Sequence, residues 1–147
     1  MERKQFLRTL GAGAAFALTF PCVQGCSKDD EGGGNTPVPT GVDFTIDLNA
    51  AEAAPLANNG GFVLKNLIVV VKNLDGNFIA ASQVCSHEQY DQVRFVNNNS
   101  ETFFYCDVHG SEFELDGTPI NQVDSKTPKP LKIFNTELTG DVLRIFE

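Results

Sequence analysis

The chain has 147 residues, 41% of them hydrophobic and 20% charged, with no internal repeat, a size for one globular domain plus a targeting or linker segment. A net charge of −8 and a pI near 4.6 argue against nucleic acid and anionic lipid surfaces as partners, because the domain's own field repels both. A basic partner protein suits that field better.

The N-terminus reads as an export signal. MERKQFLR carries Arg3, Lys4 and Arg8, and TLGAGAAFALTF (9–20) is an apolar run well short of the roughly 20 residues that a permanent membrane helix needs. VQGC (23–26) then places a small residue, Gly25, before Cys26. ERKQFLR resembles a twin-arginine signal with Arg3-Lys4 in place of the arginine pair. VQGC followed by SKDDE resembles a lipoprotein signal of the Bacteroidetes kind, although Gln24 is unusual there. These resemblances imply cleavage after residue 25, lipidation of Cys26 and a place in the bacterial cell envelope, on the periplasmic side or the outer surface. An ordinary secretory signal is the alternative. Loss of residues 1–25 removes three cations and one carboxylate, taking the net charge from −8 to −10. The stretch SKDDEGGGNTPVPTG (27–41) is built of Gly, Pro and charge without apolar periodicity, so 26–41 is expected to be an anchor cysteine and a flexible tether with a reach of about 20 Å.

From residue 42 the pattern is that of an all-β domain. VDFTIDL (42–48) alternates, FVLKNLIVVVKN (62–73) is rich in β-branched residues, and Asp75-Gly76 turns it into NFIAAS (77–82) as a hairpin. Further strands are expected at 92–96, 102–106, 112–116, 131–138 and 142–146, separated by NNNS, Asp116-Gly117 and TGD. Only AAEAAPLAN (50–58) hints at a helical turn, which Pro55 limits. The result is a set of short antiparallel strands.

Both histidines and two of the four cysteines fall between residues 85 and 109, as Cys85-x-His87 and Cys106-x-x-His109. Each pair sits where an expected strand ends, so two loops would each present one thiol and one imidazole. Four ligands of this softness suit tetrahedral zinc or an iron–sulfur centre. A Cys85–Cys106 disulfide is a further possibility in an oxidising compartment, but it leaves the two histidines unexplained.

The full string, Cys85-x-His87 and then Cys106-x-x-His109-Gly110-Ser111-x-Phe113, resembles the Rieske family, and GTPINQVDSKTPKPLKIFNTELTGDVLRIF (117–146) is similar to that family's tail. The resemblance covers about residues 42–147. It implies an antiparallel β-sandwich bearing a two-loop cluster-binding subdomain, with loops at about 85–91 and 106–113. It also implies a [2Fe-2S] cluster whose one iron is held by Cys85 and Cys106 and whose other is held by His87 and His109. The quinol-oxidising branch joins its loops through an extra disulfide; here Tyr90 and Val108 stand at those places. The usual Gly two residues after the first histidine is Gln89, and the Pro of the second loop is Asp107.

In the family, hydroxyls near the cluster raise its potential by donating to the sulfurs. Ser111 is kept, whereas Phe113 replaces a Tyr, so the resemblance implies a potential below about +150 mV, in the lower part of the Rieske range of roughly −150 to +300 mV. No Gly-x-Gly-x-x-Gly is present for flavin or nicotinamide, and no histidine is left for a second metal. The resemblance therefore implies an electron-transfer protein with a redox partner protein. The alternatives are the small Rieske subunit of an exported oxidoreductase complex, and a zinc-bound or cluster-free structural lipoprotein.

Overall fold

The computed structural model describes residues 34–147; the expected export signal (1–25) and Cys26 lie outside the described residues. Nine strands follow in order: β1 (Asp43–Asp47), β2 (Phe62–Lys65), β3 (Ile68–Lys72), β4 (Phe78–Ser82), β5 (Val93–Asn97), β6 (Thr102–Cys106), β7 (Glu112–Phe113), β8 (Ile133–Thr139) and β9 (Val142–Phe146). A 3₁₀ turn over Ala51–Ala57, with Pro55 inside it, joins β1 to β2. Every pairing is antiparallel. Six strands form one sheet in the order β1-β9-β8-β4-β3-β2, and β5-β6-β7 form a second, smaller sheet.

The run Ile68-Val69-Val70-Val71 shows why this sequence makes two layers. All four residues are fully buried, as expected of a β-branched run covered on both faces. Because side chains alternate along a strand, Val69 and Val71 join Ala81, Val93, Phe95, Phe104, Phe113 and Leu131 in one hydrophobic cluster. Ile68 and Val70 turn the other way, to Ile46, Leu56, Ala80, Phe134, Leu143 and Ile145. Each such side chain contributes about 1.5–3 kcal/mol through burial. Cys85 and Cys106 belong to the first cluster, so the region that carries the metal-ligand types rests directly on the core.

The structure departs from the sequence pattern at three places. The expected strand 62–73 is two strands, folded at Asn66-Leu67, whose φ values of 53° and 60° are those of a tight two-residue hairpin turn. Leucine in the left-handed region gives no turn signal, so the break was hidden. The expected strand 112–116 shortens to Glu112–Phe113, because a turn closes early through Glu114 N–H to Thr118 C=O at 2.8 Å and Gly117 N–H to Glu114 C=O at 2.9 Å. The third departure concerns the expected tether. Residues 34–40 run along the domain with Gly34, Thr36 and Val38 half-buried and Asn35 and Pro37 exposed, and Thr36 N–H donates to Gln89 C=O at 3.2 Å.

Candidate metal centre

Two loops of matching construction carry the four residues singled out by their chemistry. The first lies between β4 and β5, the second between β6 and β7. In the first, Cys85 N–H donates to Tyr90 C=O (2.7 Å) and Gln89 N–H to Cys85 C=O (2.9 Å). In the second, Cys106 N–H donates to Ser111 C=O (2.9 Å) and Gly110 N–H to Cys106 C=O (2.9 Å). The fourth residue after each cysteine has positive φ, 58° at Gln89 and 75° at Gly110. Each sulfur is approached by the backbone N–H groups two and three residues on, those of His87 and Glu88 for Cys85 and those of Val108 and His109 for Cys106. One backbone form is thus used twice, each time wrapping amide donors around a thiol.

The loops bring these side chains together as two pairs, thiol with thiol and ring with ring. Cys85 and Cys106 are buried, free thiols that hydrogen-bond to each other, and this contact is the main cause of opposite shifts. It draws the Cys85 pKa down to about 6, against the effect of burial, and pushes that of Cys106 up, where burial adds to it. The rings of His87 and His109 meet edge to face, with centroids 5.1 Å apart. His87 Nε2 lies 3.7 Å from Asp124 Oδ2 and His109 Nε2 lies 3.5 Å from Glu88 Oε2, with side-chain exposures of 9% and 28% for the two histidines. Their Nδ1 atoms face inward: among the described residues, the buried side-chain polar atoms without a hydrogen-bond partner are His87 Nδ1, His109 Nδ1 and Ser111 Oγ. The Ser111 hydroxyl lies close enough to Cys85 to favour its thiolate, and it has no hydrogen-bond partner in the protein. Leaving a buried polar atom unpaired costs about 1–3 kcal/mol; the two imidazole atoms belong to rings in contact, and the hydroxyl lies near Cys85.

Phe113 is fully buried and pairs across the sheet with Phe104. It offers no hydroxyl at this position.

Several positioning residues escaped the sequence reading. Asn121 clamps the second loop, its Nδ2 donating to Gly110 C=O (2.7 Å) and its Oδ1 accepting from Glu112 N–H (3.0 Å). The Ser86 hydroxyl donates to Lys129 C=O at 2.5 Å, tying the first loop to the Pro-containing stretch before β8. Asp124 reaches His87 from a tight turn closed by Val123 and Lys126. None of these had a motif to mark it; an Asn or Asp in a loop reads as turn chemistry. His87, Glu88 and His109 also place one ligand atom each within 4.8 Å of one another, a grouping that uses no thiol.

A family model for the Rieske [2Fe-2S] domain matches residues 46–136. The chain belongs to this family. A Rieske domain implies a [2Fe-2S] cluster as its cofactor and electron transfer as its work. The chain is similar to the cyanobacterial plasma membrane Rieske protein PetC3 from Synechocystis PCC 6803, with 22% identity and a TM-score of 0.48 over 62% of this chain and 89% of that one. It is similar also to NdmB of Pseudomonas putida CBB5, with 20% identity and a TM-score of 0.42 over 60% of this chain, and it spans only 28% of that chain's length. No curated protein matches it.

Proposed function

We propose that this Rieske domain is a one-electron carrier tethered in the bacterial cell envelope, holding its cluster through Cys85 and Cys106 on one iron and His87 and His109 on the other. The observation that supports the ligand assignment is that two loops of one design each carry a buried free thiol and a buried, unpartnered Nδ1, with the two thiols paired and the two rings in contact. Two sulfurs and two imidazole nitrogens are the donor set that a Rieske cluster takes. When bound, the cluster supplies one-electron chemistry. The chain's own residues do the rest.

The amide groups of His87, Glu88, Val108 and His109 face the sulfurs and offset their negative charge. Burial of both cysteines keeps water from the thiolates, and the inward Nδ1 atoms leave both Nε2 edges turned toward surface carboxylates. His109 is the more exposed of the two rings, so it is the edge that a redox partner would approach. The absence of a flavin, nicotinamide or second-metal motif supports a carrier that leaves substrate chemistry to its partner. The basic, apolar and Cys26-terminated pattern of the first 26 residues supports export and lipid anchoring.

Protein purified without air and reduced with dithionite tests the ligand set. The expected result is a visible absorption and an electron paramagnetic resonance spectrum of a mixed His and Cys ligated cluster. A colourless, zinc-containing protein would overturn the assignment and favour the His87, Glu88 and His109 grouping. Radiolabelled palmitate incorporation, lost in Cys26→Ala, tests the anchor.

A further inference from the structure

The two ligand loops share one backbone but differ at its strained position. In the second loop that position is Gly110, which adopts φ 75° without a Cβ penalty; in the first it is Gln89, held at φ 58° with a full side chain. Such a residue stays in the left-handed region only where its surroundings over-determine it. Beside the loop's own Gln89 N–H to Cys85 C=O bond, the segment 34–40 lies against Gln89. Thr36 N–H donates to the Gln89 carbonyl at 3.2 Å, and Gly34 passes so close that a Cβ there would overlap the Glu88 carbonyl oxygen and the backbone of Gln89 and Tyr90. The far end of the segment is fixed to the six-stranded sheet, where Pro39 C=O accepts from Lys132 Nζ (2.9 Å) and Gly41 N–H donates to the Glu147 carboxylate (2.5 Å). Pro37 and Pro39 lock φ between the two attachments and keep the segment extended. Gly34 also lines, with Ser86, His87, Glu88, Gln89 and Lys129, an open hollow of about 590 Å³ beside the first histidine.

We propose that residues 34–40 are a strap that holds the first ligand loop in its metal-binding shape, with Gly34 and Thr36 as positioning residues for Cys85 and His87. The strap does for Gln89 what glycine does unaided at Gly110. The effect on the cluster rests on the ligand assignment made above, whereas the effect on the loop does not. The strap makes this part of the N-terminal segment a component of the redox site, and not merely a spacer.

The test uses the full chain. Gly34→Val drives bulk into the loop backbone, Thr36→Pro deletes the donor and sets the ring Cδ against the Gln89 carbonyl in its place, and Asn35→Val places a branched side chain on the outward face as a control. Each is read by hydrogen exchange of residues 85–91, by the g values of the reduced cluster and by the midpoint potential. The strap predicts at least tenfold faster exchange in this loop for Gly34→Val and Thr36→Pro, with displaced g values and potential, while Asn35→Val matches the parent. It also predicts that Gln89→Gly, which removes the strain, shrinks the effect of Thr36→Pro on exchange and spectrum. Parental exchange in both strap variants, or an equal effect of Thr36→Pro with and without Gln89→Gly, overturns the proposal. A parent protein that lacks the mixed-ligand spectrum overturns the ligand assignment, and loop exchange then still decides the strap.

Discussion

His87 and His109 present opposite chemistry on their two edges: their rings meet at an interplanar angle of 80°, each Nδ1 buried and unpartnered, each Nε2 within 4 Å of a surface carboxylate. An imidazole oriented this way can ligate inward and still meet a partner outward.

Ligand replacements should therefore separate the roles. Cys106→Ser is expected to abolish the cluster, measured as iron and acid-labile sulfide per chain, because an alcohol replaces a buried thiolate. His109→Cys is expected to retain a cluster of lower potential, since a thiolate brings more negative charge to the iron than an imidazole does. Retention of full iron loading by Cys106→Ser would show that another residue holds the metal.

The Ser111 hydroxyl lies near Cys85 and makes no hydrogen bond within the protein, which leaves it able to donate to a sulfur of the bound cluster. A hydrogen bond to a charged acceptor is worth about 1.5–3 kcal/mol, which for a one-electron couple is about 65–130 mV. Ser111→Ala is expected to lower the midpoint potential by that order, and Phe113→Tyr to raise it if the new hydroxyl reaches a cluster sulfur. Protein-film voltammetry of the two variants measures both, and a parent value above about +150 mV would contradict the low potential expected from Phe113.

Two core truncations should part stability from redox behaviour. Phe104 packs in the cluster that includes Cys85 and Cys106, whereas Leu143 packs in the other. Phe104→Ala is expected to cost about 3–5 kcal/mol and Leu143→Ala about 2–5 kcal/mol in urea unfolding. Only Phe104→Ala should also alter the spectrum of the reduced cluster.

Much of this arrangement was legible in the sequence, for physical reasons. The Asp75-Gly76 hairpin, the alternating strands 43–47 and 142–146 and the two closely spaced Cys-His pairs each carry a local signal. What escaped was non-local or unmarked. Asn66-Leu67 turns the chain in a conformation that leucine does not advertise, and Asn121, Asp124 and Thr36 act only through residues the fold brings near. The Gly- and Pro-rich composition of 27–41 suggests a flexible tether, but composition cannot show that residues 34–40 lie against the first ligand loop.

Acid should loosen the seam where the domain's two ends meet. Arg144 Nε and one of its terminal nitrogens hold both Asp43 oxygens at 2.9 and 2.6 Å, and Glu147 accepts from Lys132 and from Gly41 N–H. The Arg144 hydrogen bond lowers the Asp43 pKa below 3.8, and the Lys132 hydrogen bond lowers that of Glu147 below 4.5. Folding thus favours the ionised forms. Their stabilisation is fully present above these ordinary values and is lost as pH falls through the depressed folded ones. Asp43→Asn and Glu147→Gln should lower the thermal midpoint slightly at pH 7, as exposed pairs do, and the gap to the parent should close in acid. A gap that persisted at the lowest pH would assign the effect to something other than charge.

The two sheets draw their strands from very different distances along the chain. Residues 93–113 complete the three-stranded sheet through neighbouring hairpins, whereas the six-stranded sheet is finished only when Val142–Phe146 enters between β8 and Asp43–Asp47, a pairing that spans about a hundred residues. Short-range pairings close quickly and long-range ones slowly. As the chain emerges from the ribosome, the hairpins around Cys106 and His109 can form while the larger sheet still has an open edge, and that edge closes only once Val142–Phe146 has been made.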